Sequence, residues 1–187
     1  PISKKKTHVI EIHAGQITTT DLTVLLPPAS NFEPSGGYSK IAAVERHHNT
    51  GKIGVAVAKG YGIKNGAVAS SVSHDSHNII VIGDNDVDMA IAVNEIIRTQ
   101  GGYTVVENGK VYETLALPIM GLMSDAGFEN VNEALQRMIQ KAHQMGVAAQ
   151  IDPFVTLSFL ALPVIPELRI TPRGICKMTA KGPIILS

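Results

Sequence analysis

The stretch from residue 53 to residue 83 constrains the fold more than any other part of this sequence. Valines and isoleucines alternate there with glycine, alanine and serine, in short apolar runs separated by turn-forming residues. Short runs of this kind predict β-strands. Small residues on strands let another backbone, a helix or a ligand approach closely. We therefore expect strands at about 53–62, 66–73 and 78–83, packed tightly against their neighbours.

Strand patterns also flank this stretch. Near the N-terminus the alternation places Ile10 and Ile12 on the inward side of a strand, and Pro27 ends the strand that follows. Further along, Asn108-Gly109 is the strongest short hairpin signal in the chain. The segments predicted in this way are THVIEIHA, TDLTVLL, KIAAVERHH and the hairpin YTVVENGKVYETLAL.

Two helices are predicted from apolar residues at helical spacing. The first runs from about 86 to 99, after possible N-caps at residues 84–86, and ends at Gly101. The second runs from about 131 to 145, with Asn130 and Glu133 as a capping box. The apolar stripes are Met89, Ala92, Val93, Ile96 and Ile97 in the first helix, and Val131, Leu135, Met138, Ala142 and Met145 in the second.

The order of these elements predicts an α+β fold with a mixed, mostly antiparallel sheet packed with helices. The proline-broken segment DPFVTLSFLALPVIPELRIT is predicted as a short helix or strand followed by an extended stretch. With 187 residues, 44% of them hydrophobic, the chain is sufficient for one well-buried domain. We expect residues 1–187 to form that domain, with residues 1–6 as a flexible tail.

Composition excludes several classes of function. The 16 basic and 16 acidic side chains give no net charge, and aromatic residues are few, so a nucleic-acid-binding surface is not expected. No apolar run reaches the roughly 18 residues needed to span a membrane. The single cysteine, Cys176, excludes an internal disulfide, which is typical of a reducing cytosol, and we expect it to be a packed thiol. Because the chain begins with proline, we expect it to be a piece of a longer protein.

The motif VSHDSHN is the densest group of reactive side chains. In a strand His74 and His77 would point to opposite faces, whereas in a tight turn they would converge. Asp75 and Asn78 can bond the local backbone, which would make all four ordinary turn residues. Two histidines and one aspartate are also three possible metal ligands, but no second ligand cluster such as HExxH follows. An acid–base role, with Asp75 orienting a histidine, is the third alternative.

The segment ERHH at residues 45–48 is the second cluster. Glu45 and Arg46 stand at the polar end of a predicted strand, where they are equally consistent with a surface ion pair or a ligand contact. The glycines of GKIGVAVAKGYGIKNG match neither common nucleotide-binding loop, GxGxxG or GxxxxGK[ST], so a nucleotide loop is excluded.

Taken together, these segments resemble a known family. The stretch ERHHNTGKIGVAVAKGYGIKNGAVASSVSHDSHNIIVIG closely resembles the C-terminal region of bacterial adenine deaminases. So do LPIMGLMSD and DPFVTLSFLALPVIPELRITPRGI, and the resemblance runs from about residue 8 to residue 175. VSHDSHNI is its most specific motif. The chain therefore looks like the C-terminal domain of such an enzyme.

The resemblance implies a hydrolase that converts adenine to hypoxanthine and ammonia in purine salvage. Such enzymes are metal-dependent amidohydrolases built on a (β/α)₈ barrel, in which manganese or iron activates the attacking water. A barrel needs about 250 residues, so no TIM barrel is expected in this chain. The barrel's HxH ligand pair is also absent. We therefore expect no metal ligand and no cofactor in this chain, and place the manganese or iron in the missing barrel domain.

The resemblance also assigns the site and the partners. HDSHN would be a loop offered to the mouth of the barrel, with His74, Asp75 and His77 as catalytic residues. Substrate-binding roles would fall to Glu45, Arg46 and Asn78. The implied partners are the barrel domain of the same enzyme, adenine, and further copies of the chain in a homo-oligomer, in the cytoplasm and without nucleic acid or membrane. The chain alone is expected to be inactive.

Two main alternatives remain open for the role of the domain. The domain is either catalytic, as above, or a lid or assembly module that stabilises the barrel or its oligomer. His74, Asp75 and His77 on an open face would favour the first, and burial of the same side chains in internal hydrogen bonds would favour the second. A third alternative, an independent small-ligand domain, requires a deep internal pocket.

Overall fold

The main sheet is assembled from four consecutive hairpins. The computed structural model describes residues 6–25 and 36–186. The strands of the four hairpins are β1 (Lys6–Ile12), β2 (Thr19–Leu25), β3 (Tyr38–Val44), β4 (Ile53–Lys59), β5 (Gly66–Ser70), β6 (Ile79–Gly83), β7 (Gly102–Glu107) and β8 (Lys110–Ala116). They form one eight-stranded sheet in the order β2-β1-β4-β3-β6-β5-β7-β8. Neighbouring strands are antiparallel except β1 and β4, which are parallel.

Three helices and a small second sheet complete the described structure. The helices are α1 (Asp86–Arg98), α2 (Phe128–Gln144) and α3 (Pro153–Leu160), and the remaining strands are β9 (Leu168–Thr171), β10 (Gly174–Thr179) and β11 (Gly182–Ile185). The last three form an antiparallel sheet in the order β11-β10-β9. Both sheets are open, and the predicted α+β class with a mixed, mostly antiparallel sheet is confirmed.

The helices cover the main sheet on both faces. Helix α1 packs Met89, Ala92 and Ile96 onto one face, against alanines and valines of β3, β5, β6 and β7. The larger core on the other face contains Met138 of α2, and Phe154 and Leu157 of α3. Small strand residues allow this close packing. No helix among the described residues is long and apolar enough to cross a membrane.

The first predicted helix agrees closely with the structure. Asn85 is its N-cap, because the Asn85 side chain accepts a hydrogen bond from the Asp88 amide. The helix ends differently from the prediction: Gln100, with a φ of +60°, takes the left-handed position after the Thr99 cap, and the expected terminator Gly101 follows it and donates its amide to the Ile96 carbonyl. One stripe residue was wrongly predicted: Ile97 is 57% exposed, since it lies at the edge of the face that meets the sheet.

The start of the second predicted helix was wrong. Helix α2 begins at Phe128, and its N-cap is Gly127, with no side-chain cap hydrogen bond. The expected capping box of Asn130 and Glu133 therefore does not form, because both residues already lie inside the first turns. The Asn130 side chain instead donates to the Ala126 carbonyl.

Some sequence predictions fall outside the described residues. Residues 1–5 of the expected tail lie outside them, whereas Lys6 is the first residue of β1. The expected stop at Pro27-Pro28 and most of the loop after it lie in the range 26–35, which is also outside them. The buried state predicted for Cys176 is confirmed, and burial raises the pKa of its thiol.

Candidate functional site

Four chain connections meet at one end of the main sheet. Val44 at the end of β3 pairs with both Ile53 and Ile79, and Ser70 at the end of β5 pairs with Tyr103. The register therefore brings together the connections at 45–52, 71–78, 99–101 and 117–127. Both histidine clusters seen in the sequence lie in these connections, so the sheet places them side by side.

The segment HDSHN forms a tight turn between β5 and β6. The His77 amide donates to the Ser73 carbonyl at 2.7 Å, and the buried Ser73 hydroxyl donates to the Asn78 carbonyl at 2.5 Å. These bonds close the turn upon itself. The two imidazoles converge as expected for a turn, with the ring centroids of His74 and His77 6.2 Å apart.

Two side chains of the turn face outward. The Asp75 side chain is 88% exposed, and its Oδ1 lies 4.0 Å from Nδ1 of His74. The His74 ring rests against Phe159 of α3, with 5.3 Å between ring centroids. Within the described residues, neither His74 ring nitrogen nor the Asp75 carboxylate makes a side-chain hydrogen bond. Both groups therefore remain able to bind another molecule.

His77 is the more enclosed of the two histidines. Its Nδ1 is buried and has no hydrogen-bond partner among the described residues. Burial, followed by repulsion from His74, lowers the pKa of His77 below the ordinary value of 6.5; Arg46 and His47 lower it further and Asp75 opposes them. The lowered pKa favours the neutral imidazole, and Nδ1 of this ring is left unpaired by the described residues.

Glu45 is occupied by its own loop. Its carboxylate accepts hydrogen bonds from the backbone amides of His47, His48 and Thr50, and from the Thr50 hydroxyl. These bonds, led by the Thr50 amide, lower the pKa of Glu45 to about 2. Glu45 therefore holds the connection between β3 and β4 in shape.

Arg46 ties three connections together. Its guanidinium donates to the carbonyls of His77, Gln100 and Met120, at 3.1, 3.2 and 2.9 Å. All three acceptor residues have positive φ, between +49° and +60°. Its backbone amide also donates to Oδ1 of Asn78, at 3.1 Å. No carboxylate pairs with Arg46 in the described part of the chain, and burial lowers the pKa of its guanidinium.

Gly121 belongs to this arrangement, and sequence analysis did not identify it. A Cβ at this position would lie 2.0 Å from Nη2 of Arg46, and its φ is +74°. A side chain at this position would displace the guanidinium, and the left-handed φ also favours glycine. The signal available in the sequence was the position of Gly121 within LPIMGLMSD, but its contact with Arg46 depends on the sheet register.

A cavity of about 290 Å³ lies beside the turn. Its lining includes Asp75 and Asn78 on one side, and Pro163, Val164 and Pro172 on the other. The walls away from the turn are mostly apolar, so the turn supplies the polar edge of the cavity.

The comparison with protein families decides where this chain belongs. Residues 16–181 match the model of the family described as the adenine deaminase C-terminal domain. The chain belongs to the adenine deaminase C-terminal domain family. It is 51% identical over 168 residues to the adenine deaminase of Desulfitobacterium hafniense strain Y51, which covers 89% of this chain. It is 44% identical over 175 residues to the adenine deaminase of Bacillus subtilis strain 168, which covers 92% of it.

This adenine deaminase C-terminal domain spans only part of its relatives' length. It covers 30% of the Desulfitobacterium hafniense protein and 30% of the Bacillus subtilis protein. The adenine deaminase of Clostridium acetobutylicum is 54% identical over 140 residues, which is 25% of that protein. Most of each relative therefore lies outside the region that matches this chain.

All six predicted site residues of the domain lie at the same end of the sheet. Three of them, His74, Asp75 and His77, carry the ionisable groups of the turn. The side chains of the other three, Glu45, Arg46 and Asn78, form hydrogen bonds to backbone groups within the domain. Their roles toward a substrate stay a prediction. Among residues 6–25 and 36–186, no three His, Cys, Asp or Glu side chains are placed to hold a metal ion.

Proposed function

We propose that this chain is the C-terminal domain of an adenine deaminase, and that its HDSHN turn completes an active site located mainly in a second domain. One observation carries the proposal: His74 and Asp75 are open, while Arg46, Ser73 and Asn78 are used to hold them in place. In a preorganised site the reactive groups are held in place by the hydrogen bonds of neighbouring residues, which is the arrangement found in this turn. The reaction we propose, the deamination of adenine, is inferred from the name of the relatives, adenine deaminase.

The proposed reaction needs proton transfers that this turn is suited to make. When water adds at C6 of adenine and ammonia departs, one of the water protons ends on ring N1 and the other on the ammonia. His74, with Asp75 4.0 Å away, can carry a proton between these positions. Neutral His77 can donate or accept a hydrogen bond at the base. Arg46, Glu45 and Asn78 position the turn on this proposal.

The remaining parts of the enzyme are assigned to other chains or domains. The manganese or iron of the family belongs, on this proposal, to the second domain, and the isolated chain does not turn over adenine. The single buried thiol, Cys176, fits the reducing cytoplasm in which purine salvage takes place. Assembly into a homo-oligomer is part of the same proposal.

Paired kinetics and melting on a full-length enzyme that contains this domain test the proposal. Asp75→Ala and His77→Ala should lower kcat/KM by about 10²–10⁴-fold, the usual contribution of a positioned acid or base, and leave the melting temperature nearly unchanged. A rise in KM as well would indicate lost contacts to the adenine ring.

His13→Ala is the matched control. His13 follows β1, whose parallel pairing with β4 places it at the opposite end of the sheet. Its ring makes one hydrogen bond, to Thr20 at 2.7 Å. Normal kinetics with a lowered melting temperature in the Asp75 and His77 variants would instead establish them as turn residues, and the domain as a structural module.

A further inference from the structure

A second exposed feature lies at the same end of the sheet. Four large apolar side chains within ten residues are open to solvent: Ile119 (43% exposed), Met120 (76%), Met123 (54%) and Phe128 (78%). We call residues 119–128 the apolar loop. Single exposed apolar residues are ordinary, whereas several within one short segment indicate a contact surface.

The apolar loop is held firmly despite its exposure. Nη2 of Arg46 donates to the Met120 carbonyl at 2.9 Å, and the buried Ser71 hydroxyl donates to the Gly121 carbonyl at 2.6 Å. Within the loop, the Ile119 amide donates to the Met123 carbonyl at 3.1 Å. The backbone from Ile119 to Met123 is therefore held in place, so less backbone freedom remains to be lost there when a partner binds.

The apolar loop is joined directly to the histidine turn. Nη1 of Arg46 binds the His77 carbonyl, while Nη2 of the same guanidinium binds the Met120 carbonyl. The exposed methionines therefore lie next to the turn that presents His74 and Asp75. A protein domain that covers the apolar loop would therefore lie beside the side chains of His74 and Asp75.

We propose that the apolar loop is the surface on which this domain docks to the second domain of the same adenine deaminase chain. This rests on the proposed function, and it names the contact that would bring the turn to the active site. The relatives supply the occupant, because about 70% of the Desulfitobacterium hafniense protein lies outside the 30% that this chain matches. Methionine and phenylalanine are enriched at the centres of such interfaces, so the facing surface is apolar.

Cysteine labelling with a maleimide tests the docking. Met120→Cys and Phe128→Cys each place a thiol in the apolar loop, and Phe128→Cys serves as a second position if the first variant folds poorly. Val87→Cys is the control: Val87 is 66% exposed, and it lies in the first turn of α1, at the opposite end of the sheet. Cys176, the only native cysteine, is 2% exposed, so the background from this domain is low.

In the isolated domain all three thiols should react at similar rates. In a full-length adenine deaminase that contains the domain, labelling at 120 and 128 should slow at least tenfold, and labelling at 87 should stay within twofold. Peptide mass spectrometry separates these sites from cysteines elsewhere in the enzyme. Equal labelling of the loop in both forms would overturn the proposal. Protection in the isolated domain that rises with its concentration would also overturn it, since the occupant would then be a second copy.

The proposed function is assayed separately, by adenine turnover of the full-length protein without the cysteine substitutions. A protected loop in an enzyme that does not deaminate adenine would contradict the function and support the docking. An active enzyme whose loop stays open would contradict the docking alone.

Discussion

The Nε2 atom of His47 lies 2.6 Å from the carbonyl oxygen of Ser76, so the two histidine clusters are hydrogen-bonded to each other. A carbonyl oxygen can only accept, and Nε2 of His47 must therefore carry the proton. The bond joins the connection after β3 to the HDSHN turn. The Arg46 guanidinium adds a hydrogen bond to the His77 carbonyl. Together the two bonds hold the turn against the connection between β3 and β4.

Removing this bond should loosen the turn. In His47→Ala, the His77 amide, which bonds the Ser73 carbonyl, should exchange with deuterium about 2–10-fold faster, as expected for a lost hydrogen bond of about 0.5–1.5 kcal/mol. Hydrogen exchange followed by NMR measures the change. His48→Ala is the control, because the exposed His48 ring makes no hydrogen bond within the described residues. Unchanged exchange in His47→Ala would mean that the turn is held without this bond.

Arg46→Lys should destabilise the domain although it keeps the charge. One ammonium group cannot reach three carbonyls that belong to three connections, whereas the forked guanidinium does. We expect a loss of about 1–3 kcal/mol in the free energy of unfolding, measured by urea denaturation. Arg98→Lys is the control: the exposed Arg98 side chain pairs with Glu95 on α1, and a lysine can keep such a surface pair, so its replacement should change stability much less. Equal losses in both variants would contradict the view that the three hydrogen bonds of the Arg46 guanidinium stabilise the domain.

The contribution of Glu45 should depend on pH. Folding lowers the pKa of Glu45 from its ordinary value of 4.5 to about 2, so the stabilisation is complete above pH 4.5 and is lost as the pH falls toward 2. The difference in melting temperature between the native chain and Glu45→Gln should therefore shrink across that range. Melting curves at pH 6, 4 and 2.5 measure it. A difference that stays constant with pH would show that the carboxylate is not the stabilising group.

Gly54→Ala should strongly destabilise the contact between the two sheets. A Cβ on Gly54 would lie 1.9 Å from the Thr171 carbonyl oxygen, where β4 passes the end of β9. Because the obstacle is backbone, it cannot rotate away, and we expect a loss of about 3 kcal/mol, at the upper end of overpacking costs. Chemical denaturation measures the loss. Lys52→Ala, on exposed chain just before β4, should change stability by less than about 0.5 kcal/mol.

Local patterns in the sequence predict most of the elements but little of the site. Alternation and helical spacing identify β1, β4 and α1, and the N-cap candidates at 84–86 mark the start of α1, because these signals depend only on neighbouring residues. The start of α2 could not be predicted in this way. Phe128 is 78% exposed, so it does not belong to the buried apolar stripe of the helix. The N-cap residue, Gly127, has no side chain that could identify it as a cap.

The site requires information that no local pattern contains. Arg46 meets the Met120 carbonyl only because the strand register brings distant connections to one end of the sheet. Sequence analysis thus identified Arg46 and the histidines as notable, and interpreted Arg46 as a substrate ligand. The structure shows its guanidinium bound to three backbone carbonyls instead. Whether it also contacts adenine stays a prediction.

The arrangement of the main sheet as four successive hairpins has a consequence for the order in which the domain is synthesised and folds. Each hairpin pairs with the one before it, so the sheet can grow during translation by local pairing. The contact between the chain around the start of β2 and strand β9 cannot form so early. The Thr19 hydroxyl donates to the Leu168 carbonyl and accepts from the Leu168 amide. The guanidinium of the buried Arg169 donates to the Thr19 hydroxyl and to the Ile17 carbonyl. Closure of the domain must therefore wait until Arg169 has left the ribosome.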